Sequence, residues 1–266
     1  MTREQRLVFG EVAELYDRHR PAYPNALVDD LVAMARLREG SVVLEVGAGT
    51  GKATAMFAAR KIRVVAIEPS AEMAAVARRL YTAEGNVRIE QSDFEQWDAA
   101  GREFPLVFAA QAWHWVEPAI GFAKAARVLR PGGVLAAFWN RPVWARAALR
   151  EAVLDAYQRA APELLDEKDP IHPASPLPTD VEEWRRGVGA SDGLGAAEVR
   201  DYEWGQTYSA RDYAALLATH STVRVLDPRR RAALVEAVAG AIESHGDSLT
   251  LPLVTLLCLA RRLDTA

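Results

Sequence analysis

Three glycines at alternate positions, Gly47, Gly49 and Gly51, follow a short apolar run of Val42, Val43, Leu44 and Val46. Such a run reads as a strand buried on both faces, and a helical pattern begins at about Thr50. Strand, glycine turn, helix opens a nucleotide-binding βαβ unit, because glycine permits a tight turn and lets a ligand approach the backbone with no Cβ between. Glu68 stands at the end of a second apolar run, Ile62 to Ile67. That is roughly 20 residues past the glycines, where an acidic side chain meets a ribose diol. His114 lies between Trp113 and Trp115, just after the apolar run Pro105 to Ala110. With an unperturbed pKa of about 6.5 it is a natural base at neutral pH. Its alternatives are a donor that orients a substrate and a ring that orders a pocket wall.

The spacing of the glycines narrows the ligand. A Walker A loop needs a glycine five residues before its Gly-Lys pair and a Ser or Thr after the Lys. Around Gly51-Lys52 those positions hold Val46 and Ala53. The dinucleotide pattern G-x-G-x-x-G/A, begun at Gly47, places Lys52 where close helix–strand packing wants a small residue. What fits is E-x-G-x-G-x-G, from Glu45 to Gly51. This resembles the first motif of the class I S-adenosylmethionine-dependent methyltransferases. Two further phrases extend the likeness. Arg127 to Gly133, RVLRPGG, leads into a fifth strand, Val134 to Trp139. Tyr16 to Pro24 reads Y-D-x-x-R-P-x-Y-P, similar to the N-terminal arm of a small-molecule subgroup that includes trans-aconitate methyltransferase.

The resemblance implies S-adenosyl-L-methionine as cofactor and assigns residues to it. Glu45 helps hold the methionine amino group, and Gly47, Ala48 and Gly49 pass beside methionine and ribose. Glu68 and Pro69 meet the ribose, and Met73 packs on the adenine or belongs simply to the core. Asp93 accepts from the adenine amine with Phe94 as its apolar neighbour, and Gln111 follows strand four. Tyr16 and Arg20 are lid candidates, Arg20 suited to the methionine carboxylate, or else part of an ordinary helix end. Trp113, Trp115 and Trp139 are substrate candidates, with His114 as the catalytic group. The implied activity is methyl transfer to an oxygen, carboxylate or hydroxyl, or to another nucleophile of a small molecule. The rival functions are an NAD-dependent oxidoreductase and a non-catalytic binding or assembly protein on the same fold.

The expected fold is α/β and Rossmann-like: a mostly parallel seven-stranded sheet, its last strand antiparallel, with helical cap insertions. Leu7, Val8, Val12 and Leu15 have helical spacing. A second helix should begin with Asn25 as N-cap, bury Leu27, Leu31 and Met34, and stop before Gly40. Strand three is Val87 to Glu90, and Pro118 starts a helix that buries Phe122, Ala126 and Leu129. Beyond Asn140, Leu149, Val153 and Tyr157 suggest a helix, and the proline-rich residues 160–180 suggest a loop. Strand six is expected at 196–207, helices at 210–219 and 228–244, the latter capped by Asp227-Pro228, and a last strand at Leu251 to Leu259. One methyltransferase domain would then comprise an arm at 1–24, a core at 25–140, 191–208 and 247–266, and caps at 141–190 and 209–246.

Composition agrees with a folded domain. The chain has 266 residues, half of them hydrophobic and 26% charged, with a formal net charge of -4. There is no basic footprint for nucleic acid. The single cysteine, Cys258, excludes an internal disulfide and a multi-cysteine metal site, and its apolar neighbours predict a buried thiol. No metal is expected. Nor is there an apolar segment that reads as a signal peptide or a membrane span. The expected setting is cytoplasmic, as monomer or homodimer, with a small-molecule substrate.

Overall fold

The computed structural model describes residues 13–81, 83, 85–144, 147–165 and 179–264. The chain divides into two compact units. The first comprises residues 1–21, 141–178 and 203–254; the second comprises 22–140, 179–202 and 255–266. Residues 179–189, which the sequence grouped with a cap insertion, go with the second unit.

In the second unit, β1 (Val42–Val46), β2 (Arg63–Ile67), β3 (Val87–Glu90) and β4 (Phe104–Ala110) run parallel with β5 (Leu129–Pro142). With β6 (Glu198–Ser209) and β7 (Ser248–Arg261) the strand order is 3-2-1-4-5-7-6. The last strands are antiparallel, and an isolated antiparallel bridge joins Leu194 to Arg262. Consecutive residues face opposite sides of a strand, and the sequence supplies apolar side chains for both. Leu44, Val65, Val107, Leu135 and Cys258 enter one core; Val43, Val64, Leu106, Val134 and Leu257 enter the other. Double burial is why these segments read as apolar runs rather than as alternating patterns. Burial pushes the Cys258 thiol up to about 11, so it stays protonated.

The helices of this unit are α2 (Asn25–Met34), α3 (Lys52–Ala58), α4 (Ala71–Tyr81), α5 (Pro118–Val128) and α7 (Thr179–Gly189). Two local expectations change. Asn25 is the first residue of α2 rather than its cap: Pro24 holds the cap position and no side chain accepts there. The chain leaves α2 through Arg36, at φ 52°, so the left-handed step precedes Gly40. The passage from α5 into β5 is continuous: α5 ends at Val128 and β5 begins at Leu129, with a register shift between Phe104 and Leu106 of β4.

The first unit holds α1 (Ala13–His19), α6 (Ala147–Ala160), α8 (Ala210–Leu217), the short α9 (Ser221–Arg224) and α10 (Pro228–Glu243). Its core joins Leu149, Val153 and Tyr157 of α6 to Leu234, Val238 and Ile242 of α10. Leu249, Leu251 and Leu253 of β7 complete it. As expected, Asp227 caps α10, its Oδ1 accepting from the amides of Arg229 and Arg230 at 3.1 Å each. Leu7, Val8, Val12 and most of the proline-rich stretch lie outside the described residues. Among the described residues, no helix is long and apolar enough to cross a membrane, and no cluster of three or more ligating side chains could hold a metal.

Candidate active site

The site is assembled at the carboxyl ends of the parallel strands, in the second unit. All three glycines after β1 have positive φ: 71° at Gly47, 59° at Gly49 and 94° at Gly51. Gly47 has a second reason to be glycine. A Cβ there would lie 2.5 Å from the Cβ of Ala112, so the loop after β1 presses directly on the loop after β4. At Gly49 nothing lies within 4 Å of that position, so its surface is open to a ligand.

One carboxylate grips this turn and a second is buried just before it. Glu68, at the end of β2, accepts from the Gly49 amide through Oε2 at 2.8 Å and from the Ser70 amide through Oε1 at 2.9 Å. It thereby ties the glycine turn to the start of α4. Glu45 lies inside β1 and is only 1% exposed. Its Oε2 accepts from Thr54 Oγ1 at 2.5 Å. Burial pushes its pKa up to about 8; the Thr54 bond opposes the shift and the nearby Glu68 charge adds to it. Thr54, on α3, was not singled out in the sequence, yet it is the residue that fixes Glu45. Thr50 is buried in the turn itself, and its Oγ1 has no hydrogen-bond partner among the described residues.

The loop after β3 carries Asp93 and Phe94. It is anchored from below: Glu90 accepts from Trp97 Nε1 at 2.5 Å and from both terminal nitrogens of Arg102 at 2.8 and 3.1 Å. Those Arg102 bonds hold the Glu90 carboxyl below its usual range against the effect of burial. Lys124 Nζ donates to the carbonyls of Glu95 and Trp97 and lies 5.4 Å from the Phe94 ring centroid. Phe94 and Met73 are both buried, and Asp93 is half-buried.

After β4, Gln111 adopts φ 59° and its amide donates to the Phe138 carbonyl at 2.9 Å, pinning the start of the Trp113–Trp115 turn to β5. Trp113, read as a substrate neighbour, is 5% exposed. Its ring is enclosed by Phe94, Phe122 and Trp184 at 6.0, 5.2 and 5.8 Å, so it anchors the turn in the core. His114 is half-buried, with Trp115 at 4.9 Å. Trp139 Nε1 donates to His114 Nδ1 at 3.1 Å. Indole nitrogen only donates, so Nδ1 is the acceptor and the neutral ring carries its proton on Nε2. This long-range pairing is invisible in the sequence, where Trp139 was placed only among substrate candidates.

Asn140 was also missed. Its Oδ1 accepts from Thr255 Oγ1 at 2.6 Å, and its Nδ2 donates to the Ala22 carbonyl at 2.9 Å. Its own carbonyl accepts from Gln111 Nε2 at 3.5 Å. The end of β5 is thus tied to β7, to residue 22 and to the loop after β4.

Residues 43–133 match a family described as methyltransferase domain. A methyltransferase of Geobacillus kaustophilus is 30% identical over 176 residues, which cover 63% of this chain and 80% of that protein. The chain belongs to the class I S-adenosylmethionine-dependent methyltransferases. A methyltransferase of Mycobacterium tuberculosis is 40% identical over 138 residues, 52% of this chain. The chain spans 54% of that relative's length. A type II methyltransferase structure from Anaeromyxobacter dehalogenans shares the fold, with a TM-score of 0.63 over 92% of this chain and 99% of that one, at 24% identity.

The residues present fit the methyltransferase cofactor. An open, Cβ-free surface at Gly49, a buried Thr50 hydroxyl lacking a partner among the described residues and a buried carboxyl at Glu45 suit a ligand that has no pyrophosphate and carries an amino group at one end. The absence of a small residue at Lys52, where α3 starts, suits this ligand better than a dinucleotide pyrophosphate. Tyr16 and Arg20 belong to the first unit. There the Arg20 guanidinium lies 5.0 Å from the Tyr16 ring centroid and donates to Thr219.

Proposed function

We propose that this chain methylates an oxygen, carboxylate or hydroxyl, of a small molecule, using S-adenosyl-L-methionine. The observation that carries the reading is the glycine turn gripped by Glu68, preceded by the buried Glu45 and open at Gly49. Glu45 would meet the methionine amino group, Glu68 and Pro69 the ribose, and Asp93 the adenine amine, with Gly47, Ala48, Met73, Phe94 and Gln111 completing the wall. When bound, the cofactor supplies an electrophilic methyl group on a sulfonium. The protein's share is to bind, orient and exclude water, and positioning of this kind can supply about 7–11 kcal/mol of a barrier.

His114 is assigned the role of donor rather than base. With Nδ1 engaged by Trp139, it offers Nε2–H to the acceptor's oxygen and fixes its direction; Trp115 stands beside it. Transfer to oxygen is favoured by two relatives named malonyl-[acyl-carrier protein] O-methyltransferase. They come from Marinomonas and Enterobacter lignolyticus, at 30% and 33% identity over 129 residues each. Incubation with methyl-labelled cofactor and a panel of carboxylic acids and phenols should yield labelled ester or ether. His114→Gln should keep much of kcat and chiefly raise the acceptor KM. A loss of turnover of about 10²–10⁴ with KM unchanged would instead make His114 a base. Binding of NAD with no response to S-adenosylmethionine would sink the assignment.

A further inference from the structure

We propose that the first unit carries an anion-binding subsite, built from Arg20, Tyr208 and His220, that takes the carboxylate of a small organic acid. Arg20 follows α1 and is fixed by one edge: Nε donates to Thr219 Oγ1 at 2.9 Å and Nη2 to the Thr219 carbonyl at 3.1 Å. Thr219 is buried between α8 and α9, and its hydroxyl donates on to the Leu216 carbonyl at 2.6 Å. A guanidinium has five N–H groups. Two are used on Thr219, and among the described residues no carboxylate pairs with Arg20 and no acceptor takes Nη1. Asp212, on the adjacent α8, is already engaged by His19 Nδ1 at 3.6 Å and by Ser209. A half-buried cation with a fixed orientation and no counter-ion is a site for an anion.

The second observation is Tyr208. It is 5% exposed, and its buried hydroxyl has no hydrogen-bond partner among the described residues. Burial pushes its pKa up to about 12, while the Arg20 charge pulls the other way, so Tyr208 stays protonated and keeps a proton to donate. His220 feels the same charge. Burial first, then Arg20, holds its pKa well below the usual 6.5, so it remains a neutral ring. One fixed cation, one neutral donor and one neutral ring match a monoanion, which favours a carboxylate over a phosphate. Tyr213 stands beside Tyr208 at 5.8 Å and beside Trp144 at 5.9 Å, aromatic surface on which the apolar body of an acid can lie.

The test follows the Arg20 Nε–H signal of the full chain by nitrogen NMR, assigned through Arg20→Lys, during titration with benzoate and with benzamide. Benzoate should give a saturable shift at millimolar concentration and benzamide none. In Tyr208→Phe, benzoate should bind about tenfold more weakly, as for loss of one hydrogen bond to a charged group. No saturable shift with benzoate, or equal shifts with both compounds, overturns the subsite. A shift of Arg20 driven by S-adenosylhomocysteine, with benzoate then without effect, also overturns it and returns Arg20 to the cofactor's carboxylate. If S-adenosylhomocysteine does not bind anywhere, the methyltransferase reading fails, while the benzoate result still decides the subsite.

Discussion

Glu45 is the residue whose environment makes the sharpest demand. Its pKa rises from 4.5 to about 8 in the folded protein, so the folded state holds this proton more tightly than the unfolded chain. Near and below pH 4.5 the group is protonated in both states and its burial is little penalised. As pH climbs from there towards 8, stability falls by about 1.4 kcal/mol per unit, and above 8 the loss is complete. Glu45→Gln keeps the shape without the titration. The cofactor-free variant should therefore melt above wild type at pH 8 and not at pH 5. Above pH 8, where the wild-type carboxyl ionises, the variant's affinity for S-adenosylhomocysteine should fall by about 10–100-fold, as for a hydrogen bond to a charged group. Melting curves that run parallel across that pH range would show that Glu45 does not titrate as described. Thr54 sets this behaviour by holding one carboxylate oxygen, and nothing in the spacing of a threonine on α3 announces it.

At the level of elements, β1, its glycine turn and α3 were legible because every determinant is local. The apolar run, the positive-φ glycines and the helical pattern sit within about fifteen residues of one another, and each has a single physical reading. The same holds for the Asp227 cap of α10 and for the core-facing side of α5. What the sequence hid are pairings between distant elements. Trp139 with His114, Thr255 with Asn140 and Thr219 with Arg20 are bonds of common residue types, and no periodicity marks them. The end of α2 differs for another reason: Arg36 enters the left-handed region first, at φ 52°, and Gly40 follows at φ 80° beyond the helix. The close approach of the loops after β1 and β4 yields its own test. Gly47→Ala adds a Cβ 2.5 Å from that of Ala112 at φ 71°, so both sterics and backbone oppose it. It should cost about 1–3 kcal/mol, read as a lower denaturation midpoint, and weaken cofactor binding. Gly40→Ala, also at positive φ but with nothing within 4 Å, should cost less. Equal midpoints for the two variants would mean that the loop contact carries no weight.

For the molecule as a whole, the N-terminal arm is a structural member of the first unit. Helix α1 packs on α8, and Arg20 is bonded to Thr219. Removing residues 1–21 should therefore raise amide exchange in α8 and α9 while the strands β1, β2 and β4 of the second unit keep their protection. Uniform exchange at α8 with and without the arm would contradict this. Each unit is also made of three separate stretches of chain, and β7 serves both. Leu249, Leu251 and Leu253 complete one core; Leu257, Cys258, Leu259 and Ala260 complete the other two apolar layers. On the ribosome, neither unit can close until this strand has emerged. The nascent chain must wait with α6 and α10 docked on an unfinished floor and with the β5 edge unpaired. Contacts between segments so far apart in sequence form slowly, and unpaired edges invite association. A ribosome that stalls before residue 248 would release a polypeptide with no finished domain, one that quality control can recognise at once.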